Sequence, residues 1–183
     1  SGMLMVDGRL YMLVRNTDNA LIALSDDHAG TWQWGFRFTE SFGCPALLNF
    51  GRNYAGARDD YVYTYSQDGP SAYQPYDQMV LARVPKTRVA DCDAYEFFVR
   101  RDPTGNAVWS KDIANRGPVF RFPGHCERSD AVYVEPIDRY LLLLGFNHES
   151  GWGIFDAPEP WGPWTTAFFT ERWGLGGTHG YRL

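Results

Sequence analysis

Several frameworks from which chemistry could be read directly are missing from this chain. Its 183 residues hold only three cysteines, Cys44, Cys92 and Cys126. That count is odd and contains no C-x-x-C pair, so neither a disulfide framework nor a zinc site is signalled. The four histidines show no H-x-H or H-E-x-x-H spacing, which argues against a metal centre. Positive charge is scarce: 17 Lys and Arg stand against 22 Asp and Glu, for a net charge of −5. Nucleic acid is therefore set aside as a partner, because neutralising phosphates needs a basic face. The longest apolar run, YLLLLGF at 140–146, is far too short to span a membrane as a helix. Gly-rich runs such as GLGG and GRNYAG lack a phosphate-loop pattern, so no cofactor is expected. Helical periodicity is absent throughout.

Aromatic residues are plentiful, at 16% with 7 Trp, 11 Tyr and 12 Phe, a surplus that suits β-sheets and carbohydrate-stacking surfaces alike. Short strand-like runs recur between turn signals. LMV at 4–6, RLYMLVR at 9–15, ALIALS at 20–25 and WGFRF at 34–38 make one four-stranded unit, with a DG hairpin signal between the first two. PALLNF at 45–50, YVYTYS at 61–66, MVLARVP at 79–85 and YEFFVR at 95–100 make a second. AVYVEP at 131–136, RYLLLLGF at 139–146, GWGIFD at 151–156 and WTTAFF at 164–169 make a third. Repeated four-stranded units predict an all-β fold, a β-propeller of four-stranded antiparallel blades. The expected blades are about 1–38, 45–100 and 131–169, with the start of another at 177. A β-sandwich of the same strands is the alternative. The polar, Gly-containing segments that precede the first strand of each unit favour the propeller.

SDDHAGTW at 25–32 resembles the Asp box of sialidase-type propellers, which makes Asp26 and Asp27 turn formers between a third and a fourth strand. That turn sets the faces of each blade: first-to-second and third-to-fourth turns share the bottom, and the remaining loops share the top.

The runs SGMLMVDGRLYMLVRN, FGCPALLNFGRNYAGARDDYVYTYS, SAYQPYDQMVLARVPKTRV, RYLLLLGFN and WGIFDAPEPWGPWTTAFFTE resemble the bacterial domain of unknown function 4185, over essentially the whole chain. That family is similar to five-bladed propeller glycosidases, and some members are similar to endo-acting D-arabinan hydrolases. The resemblance implies a fragment holding about three blades of a five-bladed ring. It also implies a glycoside hydrolase acting on a polysaccharide or oligosaccharide such as an arabinan. A partial ring leaves apolar blade faces open to water, which predicts self-association.

By the same resemblance the reaction site is the axial pocket of the top face, where acids near the starts of inner strands meet. Hydrolysis needs a general acid and a base or nucleophile, normally two carboxylates across the sugar. Asp130, Glu40, Asp68 and Asp77 are the acids placed to supply them, and each also reads as a turn carboxylate that only solvates a loop. Asp130 lies in PGHCERSD at 123–130, at the start of an inner strand, with Glu127 pointing the other way in an extended chain. Arg128 can hold a sugar hydroxyl or keep a catalytic carboxylate ionised, or pair with a neighbouring blade. His125 and His179 occupy equivalent segments as substrate-binding candidates, or as satisfied loop histidines. Tyr73, Tyr76 and Trp173 offer stacking platforms for sugar rings, or simply pack loops together. Asp59 and Asp60, paired in GARDDYVY, fall on the bottom face and read as turn residues. Two other readings compete with hydrolysis. One is a non-catalytic carbohydrate-binding or scaffold propeller, suggested by the aromatic surplus. The other is a sialidase-like site, which would need three converging arginines where Arg128 stands alone.

Overall fold

In the computed structural model, which describes residues 2–15, 18–146 and 151–172, the DG signal forms the first hairpin. Met3–Val6 (β1) and Arg9–Val14 (β2) are joined through Asp7 and Gly8 at φ of 49° and 84°, a two-residue turn whose twist matches that of the flanking strands. Leu21–Ser25 (β3) and Gln33–Arg37 (β4) complete a four-stranded antiparallel sheet in the order β1-β2-β3-β4. The β3–β4 turn is built on Asp27. Its carboxylate accepts from the Thr31 amide, the Thr31 hydroxyl and the Ser25 hydroxyl, each at 2.8 Å. These bonds to the charged form, the Thr31 amide foremost, hold Asp27 down at about 2.

The second sheet departs from the four-strand expectation. It runs Ala46–Leu47 (β5), Tyr61–Gln67 (β6), Tyr76–Pro85 (β7), Glu96–Arg101 (β8) and Ala107–Ser110 (β9), and Phe120–Cys126 (β10) pairs with β7 as a sixth strand. The stretch 101–130 is thus a strand excursion, where the sequence predicts a loop. The reason lies in β7, which is ten residues long. β8 pairs with it only at Ala82 and Arg83, while β10 takes Tyr76, Gln78 and Met79 on the other half of that edge. The strand character of β10 is masked in the sequence by Pro123 and Gly124, which fall in an irregularity between Arg121 and Cys126. The stretch PGHCERSD is accordingly not one strand start: PGHC ends β10 and RSD begins the next strand.

The third sheet holds Arg128–Val134 (β11), Arg139–Phe146 (β12), Gly151–Ala157 (β13) and Thr165–Thr170 (β14) in sequence order. The first strands of the three sheets are neighbours. The Gly2 amide donates to the Pro45 carbonyl at 3.0 Å, and Asn49 makes a parallel bridge to Val132. One apolar core runs through all three sheets, joining Leu4, Leu13 and Ile22 to Val62 and Leu81 and to Leu142 and Leu144. The outer face of the first sheet has no neighbouring sheet among the described residues. Met3, Met12, Ala23 and Trp34 stand in register across it, with Met3 at 55% and Trp34 at 66% exposure.

Two connections matter for the site: residues 39–44, between β4 and β5, and residues 68–75, between β6 and β7. Ser41 and Phe42 both take positive φ. Phe42 turns inward, fully buried and stacked on Phe38 with centroids 4.5 Å apart, while Glu40 stays at the surface. The Gly43 amide donates to the Gly69 carbonyl at 2.9 Å, and the approach is so close that a Cβ at Gly43 would lie 2.3 Å from the Pro70 carbonyl oxygen. Buried Gln67 donates to the Ser71 carbonyl at 2.8 Å, which closes the second loop on itself. Gly43→Ala should therefore force the loops apart and cost about 1–3 kcal/mol or more, the usual penalty for overpacking. Urea denaturation measures it, and a midpoint equal to wild type would contradict the contact.

Candidate functional site

The two connections project Glu40 and Asp68, and a third element brings a cation to both. Between β9 and β10 a single 3-10 turn, Ile113–Asn115, is capped by Asp112, whose carboxylate accepts from the Ala114 amide at 2.9 Å. Gly117 then donates its amide to the Phe98 carbonyl at 2.7 Å, at a backbone approach that leaves no space for a Cβ beside the Val99 carbonyl. Pinned between these fixed points, Arg116 points back to the loops. Its Nε donates to Asp68 Oδ1 at 2.8 Å, and its Nη1 donates to Glu40 Oε2 at 2.7 Å and to the Ile113 carbonyl at 3.1 Å. Gln78 Nε2, from β7, donates to the remaining Asp68 oxygen at 2.7 Å.

Burial differs across the cluster. The side chains of Arg116 and Asp68 are 18% and 17% exposed, whereas Glu40 is 49% exposed. Desolvation pushes Asp68 upward, but the hydrogen bonds from Arg116 and Gln78 together with the Arg116 charge outweigh it and leave its pKa below the ordinary carboxylate value. Arg116 is likewise held protonated: burial lowers it, and its bonds to Asp68 and Glu40 raise it by more. A half-buried, charge-assisted bond of the Asp68 kind is worth about 1.5–3 kcal/mol, and an exposed arm such as Glu40 about 0–1 kcal/mol. Asp68 is thus suited to act ionised, as nucleophile or charge stabiliser. Glu40 keeps one oxygen, Oε1, with no protein partner among the described residues.

The other candidates are distributed differently. Asp77 accepts from the Gly124 amide at 2.9 Å and so ties down the irregular part of β10. Asp130 pairs with Leu143 in the β11–β12 register, and Arg128 with Gly145, so the two share one face of β11. Ala131, on the opposite face, belongs to the common core. Asp130 also accepts from the Ala131 amide at 3.0 Å. His125 stacks on Phe122 with centroids 4.3 Å apart, meets Phe146 edge-on at 4.8 Å, and places Nδ1 2.6 Å from the Pro123 carbonyl oxygen. Tyr76 lies over Gly69, and its hydroxyl accepts from the Ser71 amide at 3.3 Å, a loop-packing position. Tyr73, on the same loop, is 62% exposed. Trp173 and His179 lie outside the described residues. Asp59 accepts from the Tyr61 amide and the Tyr63 hydroxyl, and Asp60 pairs with Lys86, both as turn chemistry.

Cys126 is buried, and that burial raises its thiol to about 12, leaving it an inert core group. No group of three or more His, Cys, Asp or Glu side chains among the described residues is arranged to hold a metal ion. An open groove of about 570 Å³ is lined by Phe98, Arg100, Arg101, Asp102, Pro118 and Val119 among others, and not by Glu40, Asp68 or Arg116.

Arg116 and Gln78 are the residues that sequence reasoning misses. Arg116 lies 48 and 76 residues from its two acids, and no local spacing announces a contact of that range. Only the geometry of the excursion brings it there.

The position of Asp68 fixes a pH dependence. Its native pKa lies below the unfolded value of about 3.9, so its contribution to stability is complete above that value and is lost as pH falls through the native one. Asp68→Asn should flatten the fall of stability below about pH 4, as measured by denaturant unfolding across pH 2–6. An unchanged slope would contradict the ion pair.

Comparison with known proteins gives the following. The family model described as "Domain of unknown function (DUF4185)" matches residues 4–175. No curated protein matches. Among solved structures, a mutant of the GH43 protein BlXynB from Bacillus licheniformis is similar at a TM-score of 0.38 and 10% identity, over 91% of this chain and 40% of that one. An exo-beta-1,3-galactanase from Phanerochaete chrysosporium, solved with galactose, is similar at 0.37 and 14%, over 90% and 48%. This chain therefore spans less than half the length of either structure.

Proposed function

The chain belongs to the DUF4185 family, and from that premise we propose that its sheets are consecutive propeller blades whose shared top face hydrolyses a polysaccharide. The observation that carries the reading is the meeting of Glu40 and Asp68, from the β4–β5 and β6–β7 connections, on the guanidinium of Arg116. The neighbouring first strands and the exposed Tyr73 on the connection that carries Asp68 support it. In such a site one carboxyl protonates the leaving oxygen, while an ionised carboxylate attacks the anomeric carbon or activates the water that does. Asp68, anchored by Arg116 and Gln78, is the ionised partner. Glu40, half exposed with one oxygen unengaged, is the second carboxyl of the pair. Asp130 and Asp77 remain candidates for the same chemistry, with Asp77 already committed to the Gly124 amide. Tyr73 serves as a platform for a sugar ring, alongside Arg128, His125 and Tyr76 as substrate contacts.

A second reading has its own observation. Both carboxylates bind one guanidinium, an arrangement that holds charge in place and suits recognition without cleavage. The two readings separate on a panel of polysaccharides, arabinans included, assayed for reducing ends and for binding. Asp68→Asn should lower hydrolysis by about 10²–10⁴, the range of acid–base catalysis. Parallel loss in Asp130→Asn would place that acid in the mechanism as well. Binding without reducing ends across the panel would leave the recognition reading alone standing.

The same reading includes self-association through the apolar outer face of the first sheet. Trp34→Glu and Met12→Glu should each shift sedimentation toward a smaller species, and identical profiles for variants and wild type would remove that face as the contact.

A further inference from the structure

The hydrogen bonds that Arg116 does not make suggest which sugars the site accepts. Nε and Nη1 are both engaged, whereas Nη2 has no partner among the described residues. The Arg116 side chain is 18% exposed, and Nη2 is not among the buried polar atoms that lack a partner. Glu40, the most exposed of the three charged groups, has an oxygen, Oε1, with no partner among the described residues. Asp68, by contrast, has both oxygens occupied, by Arg116 and by Gln78. The cluster therefore offers one charged donor and one charged acceptor, on a guanidinium and a carboxylate whose Nη1 and Oε2 are held 2.7 Å apart.

A sugar hydroxyl both accepts and donates, and two adjacent hydroxyls match such a donor–acceptor pair. Charge sets the further limit. One cation and two carboxylates sum to a net negative site, and Gln78 adds no charge. A sugar carboxylate approaching Arg116 Nη2 would meet the repulsion of Glu40 and Asp68, because like charges brought together at close range act against the wrong partner. We infer that Arg116 Nη2 and Glu40 Oε1 form a subsite for adjacent hydroxyls of a neutral sugar, and that the flanking carboxylates exclude uronic acids. The inference rests on the proposed carbohydrate-binding top face and requires no cleavage there.

The test is isothermal titration at low salt of the full chain with neutral tetrasaccharides of the arabino, xylo and gluco series, set against tetragalacturonate. At least one neutral ligand should bind at least about tenfold more tightly than tetragalacturonate, as expected when a site's own charges oppose a ligand's. Glu40→Gln keeps the shape and removes one of the opposing charges, so it should narrow that ratio by about threefold or more. Arg116→Lys keeps the charge but lacks the planar fork that can serve two acids and a ligand together, so it should weaken neutral binding about tenfold. A melting temperature near wild type confirms that either variant is folded, and the wild-type ratio needs no variant. Equal or tighter binding of tetragalacturonate overturns the inference, as does binding of neither class or a ratio that Glu40→Gln leaves unmoved. Neutral preference without any hydrolysis would sink the hydrolase reading and leave the subsite standing. Hydrolysis of a neutral polymer with no neutral preference would do the reverse.

Discussion

The edge of β7 that faces away from β6 is the constraint from which the site follows. A strand of ten residues carries backbone donors and acceptors that must find partners once buried. β8 meets them only at Ala82 and Arg83 before it diverges, and the remainder of that edge is taken up by β10 at Tyr76, Gln78 and Met79. The chain must therefore leave the sheet after β9, which extends it beyond β8, and return as β10. What lies between carries Arg116. Had β8 paired along the whole of β7, nothing would hold residues 111–119 over the connections that carry Glu40 and Asp68.

Arg116 then serves two ends. It ties three elements distant in sequence, and it fixes the ionisation of Asp68 against the pull of burial. Removing one partner would leave the other charge half-buried and uncompensated, which costs more than the pair contributes when intact. The polar cluster is thus tightly determined on the Asp68 side and open on the Glu40 side. That asymmetry gives a site one fixed charge and one group that can engage a ligand. The aromatic surplus works mostly elsewhere. Tyr54, Tyr63, Tyr65 and Tyr95 are buried, with hydroxyls that donate to the Tyr61 carbonyl, Asp59, the Pro160 carbonyl and the Val89 carbonyl respectively. Buried aromatic rings with satisfied hydroxyls are core material, whereas Tyr73, on the connection that also carries Asp68, is exposed.

Strand content was legible where alternation was undisturbed. RLYMLV, YVYTYS and RYLLLLGF became β2, β6 and β12, and the Asp7-Gly8 and Asp27 turns formed as their chemistry demands. Two strands were not legible. β10 carries Pro123 and Gly124 inside it, and β9 is four residues beside a turn built on Asp102. PALLNF, expected as a full strand, pairs as β5 only at Ala46 and Leu47, because the chain then moves across to bridge Val132 from Asn49. Of the acids, Glu40 and Asp68 could be chosen from their place in loops after strands. Their common partner could not, since an ion pair spanning 76 residues leaves no periodic trace. Asp130, chosen for its place at the head of a strand, shares its face of β11 with Arg128 and lies opposite Ala131 of the common core.

The central claim, that the Arg116 cluster is where a sugar is held, is tested most directly by a crystal structure of the protein soaked with a neutral oligosaccharide. The account predicts a sugar hydroxyl within about 3.2 Å of Arg116 Nη2, the reach of an N–H···O bond, with a second hydroxyl on Glu40 Oε1. Clear density for the ligand along Phe98, Arg100 and Pro118, with Arg116 untouched, would contradict it.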